Sequence, residues 1–325
     1  MRPMTYFRKN RQKTGLFPQT FCRYLTLNGL IGTNLEKGLH MKKGLTFVGS
    51  GIAVFLLFSG AVALCQVTTP DSSSAVETPK IATNVSATPV EHPLMPVIRW
   101  AERERPNIAA IKDYTAIMQK QENIGGDVQE PQVMEVKVRH QPFSVYLKFR
   151  YPSKMNGQQA IYVRGQNDNK LIGHGVGLER KFGTQRLDPE GFFAMRGNKY
   201  PITEIGVLNL VDKLLEVGYR DSKFGECEVK YTEGVKVGGK DAARECTMIE
   251  VIHPVPRQNF IFHVARIYVD NELNVPIRYE SYDWPRREGE TPKLLEAYTY
   301  LNLKLNVGLT DADFDYTNPA YNYPK

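Results

Sequence analysis

Apolar and polar positions alternate with a period of two in the stretch that runs from Pro142 to Gly175. Phe143, Val145, Leu147, Phe149 and Tyr151 fall on one side of its first run, with Ser144, Tyr146, Lys148 and Arg150 on the other. That pattern marks a strand with one buried and one solvated face. Pro152 and Asn156-Gly157 stop the run, Ala160–Arg164 resumes it, and Asn167-Asp168-Asn169 turns the chain again. Extended patterns recur at Tyr114–Gln121, Val133–Arg139, Lys170–Gly173, Glu226–Tyr231, Cys246–Ile252, Asn259–Val269, Val275–Tyr282 and Leu295–Leu305.

Two segments carry a helical period instead. Leu94–Arg105 sets Leu94, Val97, Ile98 and Ala101 against a charged face and is expected to end at Pro106. Thr203–Val217 opens on a capping Thr203 and carries Ile205, Leu208, Val211, Leu214 and Leu215 as an apolar stripe. It is expected to stop at Gly218. About ten strands, mostly sequential, with one helix before and one amid them predict an α+β fold built on a curved, mostly antiparallel sheet. Phe143, Val145, Leu147, Phe149, Ile161 and Val163 are expected to share its concave face, beneath a cover formed by Leu208, Val211 and Leu215.

The formal net charge of +7 changes this picture little. Residues 1–43 hold nine Lys or Arg and one acid, so the remainder is close to neutral and no basic face for nucleic acid is expected. Met41-Lys42-Lys43 precedes an uncharged apolar run, Gly44–Cys65, with small residues at Ala61-Val62-Ala63. Residues 41–65 therefore read as a signal peptide cleaved near Ala63, as an uncleaved membrane anchor, or as a lipidation signal at Cys65 with a bulky Leu64 before it. Residues 1–40 lack amphipathic period and precede this better start, so they read as a non-native extension. Residues 66–92, rich in Thr, Ser, Pro and Ala, read as a flexible tether, and 93–325 as a single folded domain. Export to the periplasm or cell envelope follows.

Candidate chemistry is sparse. An exported chain meets an oxidising compartment, and Cys227 and Cys246 flank one turn region, so a disulfide between them is expected, with two buried free thiols as the alternative. Asp311-x-Asp313-x-Asp315 opens like a calcium loop, but Tyr316 and Asn322 stand where Gly and Glu are required. The Gly173-x-Gly175-x-Gly177 run lacks a following helix to hold a phosphate. His140, His174, His253 and His263 show no metal-ligand spacing or nucleophile partner motif. No catalytic residue, metal site or cofactor is expected.

The order of an N-terminal helix, Tyr114-Thr115-Ala116 in a strand and then RHQPFSVYLKFRYP resembles the lipoprotein-carrier (LolA-like) superfamily. More closely, Val138–Phe149, Ile202–Leu208, His253-Pro254, Val269–Glu280, Tyr282–Pro285 and residues 305–315 resemble a bacterial family of exported proteins of unknown function. The wider resemblance implies an unclosed half-barrel whose helix-covered concave face receives acyl chains. No carrier residue transfers position by position. The expected function is a non-catalytic binder or carrier of lipid or lipoprotein acyl chains. An envelope sensor or interaction module is the alternative, and a hydrolase of surface polymers a remote one.

Overall fold

The computed structural model describes residues 91–325 apart from Asp241. The expectations for residues 1–40, 41–65 and 66–90 lie outside the described residues. Helix α1 (Met95–Ala109) leads into β1 (Asp113–Ile124), β2 (Asp127–Val128), β3 (Gln132–Arg139), β4 (Ser144–Tyr151), β5 (Gln159–Val163), β6 (Leu171–His174) and β7 (Gln185–Leu187). A single turn, α2 (Phe192–Met195), and helix α3 (Val207–Asp221) follow. The chain then forms β8 (Glu228–Val237), β9 (Arg244–Ile252), β10 (Val264–Asp270), β11 (Pro276–Tyr282) and β12 (Leu294–Leu305).

The strands make one antiparallel sheet of order β7-β6-β5-β4-β3-β1-β12-β11-β10-β9-β8, with β2 paired to β1. The chain starts at the centre, meanders to one edge, crosses by α3 to the other edge and meanders back until β12 pairs with β1. The sheet stays unclosed. One edge strand is three residues long and the other, β8, is charged and largely exposed, both devices that blunt strand-to-strand aggregation. The fold is an α+β half-barrel of twelve strands. The two strands beyond the expected ten, β2 and β7, are too short to show a period.

Pleat and register sort the apolar residues into faces. Val138 faces Val145 and Val145 faces Tyr162, while Leu147 lies between Val136 and Ala160. Tyr114, Met118, Met134, Val136, Val145, Leu147 and Phe149 thus form one buried cluster, which α3 covers through Val207 and Val211. Strands β9 to β11 make a second cluster under α1 and the end of α3, from Ile98, Val217, Ile249, Val251 and Ile267.

Ile161 and Val163 are a correction: they lie on the opposite, convex face with Tyr146, Phe314 and Tyr321. The loop between β4 and β5 left the parity of β5 open, and a one-residue difference sends every side chain to the other face. The C-terminal tail packs there. Gln159 Nε2 donates to the Tyr321 carbonyl at 2.8 Å, and Lys137 pairs with Asp313 at 2.7 Å. Asp311 pairs with Arg139, Asp313 also caps Thr310, and Asp315 accepts from Thr317, so this acidic run is spent on its own tail and strand.

Both helices run past their expected ends. α1 continues through Pro106 for another turn, anchored by buried Ile108. α3 begins after Gly206, whose φ of 133° excludes most side chains, and Thr203 sits in the preceding 3-10 turn without capping it. Gly218 does not stop α3. It lets α1 approach, because a Cβ there would come within 3.2 Å of Ile98.

The expected disulfide is absent, and both thiols are free and buried. Cys227 precedes Glu228, which faces Ile252 at the end of β9, whereas Cys246 near its start faces Val235. That separation is about 20 Å at roughly 3.3 Å per residue. A disulfide needs Cα atoms within about 7 Å. Burial pushes the Cys227 thiol up to about 12 and the Cys246 thiol up to about 11, so neither is a ready nucleophile.

Candidate functional site: a cleft at the start of helix α3

A cleft opens where α3 begins, over sheet residues that are themselves buried. The opening is a cleft of about 210 Å³ with walls of Val138, Phe143, Ile205 and Leu208. His140, Arg164, Asn209 and Asp212 form its polar rim. Gly206 forms the inner corner, and the Tyr114 hydroxyl beneath it accepts from the Val207 amide at 3.0 Å. A side chain at position 206 would meet that hydroxyl, so the corner requires glycine.

The rim groups are not equivalent. Asp212 is held by Arg105 of α1 through two hydrogen bonds, one of 3.0 Å. Asn209 donates to the Thr203 and Ile205 carbonyls, both at 3.1 Å. Arg164 has no carboxylate partner among the described residues, and its guanidinium lies 5.1 Å from the centre of the Phe143 ring. Its amide donates to the Phe143 carbonyl, which places the cation at the mouth. Neither ring nitrogen of His140 makes a well-aligned hydrogen bond. Burial lowers its pKa, against an upward pull from backbone groups of Ala109 and Ile111, so it is a neutral donor and acceptor at physiological pH.

The expected ligand-binding residues divide. Phe143 and Leu208 line this cleft. Val145, Leu147, Phe149 and Val211 are packed core, and Ile161 and Val163 face away. Leu215 borders a second, tighter seam of about 50 Å³ between α1, α3, β9 and β10, with buried Asp221 at its edge. His253 Nε2 lies 3.6 Å from that carboxylate. Arg164 and His140 were missed because neither belongs to a motif. The register of β4 against β5 would have found Arg164 opposite Phe143.

One pair of acids lay unseen in the sequence. Glu122 and Glu296 face each other across β1 and β12, both buried. The Tyr298 hydroxyl is 2.6 Å from Glu122 and 3.3 Å from Glu296. Lys120 and the Lys199 amide engage Glu122, while Lys199 Nζ and Ser281 engage Glu296. These carboxylates are occupied by fixed partners.

No curated protein matches the chain. Solved structures that resemble it include a DUF1329 family protein from Desulfovibrio piger, at 17% identity and a TM-score of 0.33, covering 69% of this chain and 98% of that one. A LolA superfamily protein from Nitrosomonas europaea matches at 11% identity and a TM-score of 0.28, over 66% of this chain and 97% of its own. The lipoprotein LppX from Mycobacterium tuberculosis matches at 9% identity and a TM-score of 0.36, over 68% and 100%. At such identities the functional reading rests on the geometry of the cleft. A family model, by contrast, matches residues 111–323, and the chain belongs to the DUF1571 family of proteins of unknown function.

Proposed function

We propose that this chain is an exported, non-catalytic binder of acyl chains, acting in the cell envelope on lipid or on the acyl chains of lipoproteins. The observation that carries the reading is the cleft itself, a mixed site in which the side chains of Phe143, Ile205 and Leu208 meet polar groups and an unpaired cation, Arg164, at its mouth. An anionic amphiphile matches that polarity, its chain against the walls and its head at Arg164. Each methylene removed from water contributes about 0.8 kcal/mol.

The cleft is smaller than the roughly 300–1,000 Å³ of ordinary small-molecule sites. A long chain therefore enters by lifting α3, which is tied to the sheet at its start by the Val207–Tyr114 hydrogen bond and to α1 by Arg105–Asp212. The apolar cluster beneath α3 would then line the enlarged groove. No helix among the described residues is long and apolar enough to cross a membrane. Nothing in the cleft calls for nucleic acid, metal or cofactor.

A fluorescent fatty acid is expected to bind the full-length protein saturably. Arg164→Glu should weaken that binding about tenfold or more by placing a carboxylate beside the anionic head, with circular dichroism unchanged because Arg164 is exposed. Unaltered affinity in a folded Arg164→Glu protein would contradict this site, and no saturable binding by wild type would contradict the function.

A further inference from the structure

The segment between β6 and α3 does something the cleft does not need. Leu178, Phe182, Phe192 and Phe193 are 77%, 75%, 76% and 74% exposed, the four most exposed large apolar side chains among the described residues. They flank the two ends of β7, the short strand at the open edge of the sheet. Isolated exposed apolar residues are ordinary, but Phe192 and Phe193 are two such rings in contact, 5.5 Å apart, on a segment that exposes two more.

The surface is held in place from behind. Ala194 packs on the main apolar cluster, and Asn198 links its carbonyl to Lys120. On the other side of β7, Arg180 donates to the Asn322 carbonyl at 2.7 Å and Thr184 to the Pro324 carbonyl. The backbone is thus anchored while the aromatic rings face water, so little order must be created on docking.

Charge selects the partner. Residues 176–200 carry Arg180, Lys181, Arg186, Arg196 and Lys199 against Glu179, Asp188 and Glu190. Asp188 is engaged by Lys170 and Lys199 by Glu296. Arg180, Lys181, Arg186 and Arg196 have no carboxylate partner among the described residues. Large apolar side chains set among unpaired cations match the headgroup region of an anionic bilayer, where rings insert shallowly and cations meet lipid phosphates.

We propose that this segment docks the protein on an anionic membrane surface, with Phe192 and Phe193, whose rings lie 5.5 Å apart, inserted at headgroup depth. The contact is independent of the acyl cleft and stands or falls separately. It would hold the open β7 edge of the half-barrel against the bilayer.

The test uses full-length protein carrying Phe192→Trp, so that the apolar run at 44–65 is present in every arm. Vesicles contain phosphatidylglycerol with phosphatidylcholine brominated on its acyl chains, and the emission of the parent protein, from Trp100 and Trp284, is subtracted. The added tryptophan is expected to shift to the blue and be quenched by the brominated lipid. Lys181→Glu, Arg186→Glu and Arg196→Glu together should reduce the inserted fraction, by roughly fivefold in partitioning per cation removed. Phe193→Trp gives a second reporter should the first disturb its turn. Emission that stays red and accessible to acrylamide on these vesicles overturns the proposal. A shift that appears only when an envelope protein fraction is added overturns it in favour of a protein partner.

Discussion

Asp270→Ala is expected to cost about 3 kcal/mol, read as a lower urea midpoint at neutral pH. The carboxylate is fully buried and accepts from two Arg244 nitrogens at 2.6 and 2.8 Å, and from the Glu272 and Leu273 amides at 2.9 and 3.0 Å. It fixes the turn that joins β10 to β11, where the Asn274 amide donates to the Asp270 carbonyl. Removing one partner of a buried pair typically costs 3–5 kcal/mol. The low end applies because the Arg244 side chain stays 38% exposed and keeps Glu272.

The same site predicts an acid response. Burial alone would raise the Asp270 pKa, but Arg244 and the two amides outweigh it and hold the group below the ordinary carboxylate range. A depressed folded-state pKa contributes stability that is present above the unfolded value of about 4 and lost as pH falls through the folded one. Wild type should therefore lose stability more steeply below about pH 4 than Asp270→Ala does.

Leu147→Ala should cost about 2–5 kcal/mol, because the side chain is buried between Val136 and Ala160 and leaves a cavity that β4 cannot close. Ile161→Ala should cost a similar amount by emptying the opposite face beneath the tail, yet leave acyl binding unchanged in whatever protein remains folded. Leu147→Glu would strand a carboxylate in the core and lose the fold before it could report on binding. Leu208, half-buried at the cleft, is where a change alters binding at small cost to folding.

Much of the sheet was legible because apolar residues alternate from Phe143 to Phe149, but the other side of β4 is not wet throughout: Ser144 and Tyr146 are buried, and Tyr151 is exposed. Parity was not legible where a loop intervenes, so alternation alone puts Ile161 and Val163 on the wrong face. The covering helix was legible from Leu208, Val211 and Leu215, but its start was not, since Gly206 disrupts the helix through φ rather than through any apolar period. Gly218 misled for the converse reason: helix-to-helix contact and helix termination both favour glycine. The cysteines misled because spacing along the chain says nothing of position along a hairpin. Arg164 and His140 act through where the register brings them, which no local pattern records.

The cleft beside Phe143, Ile205 and Leu208 is the proposed seat of an acyl chain. A fatty acid bearing a terminal diazirine, photolysed on the full-length protein and mapped by peptide mass spectrometry, tests it most directly. Labels on Val138, Phe143, Ile205 or Leu208, displaced by excess unlabelled fatty acid, are expected. Labels confined to Phe192 and Phe193, or no displaceable label on a folded protein, would contradict it.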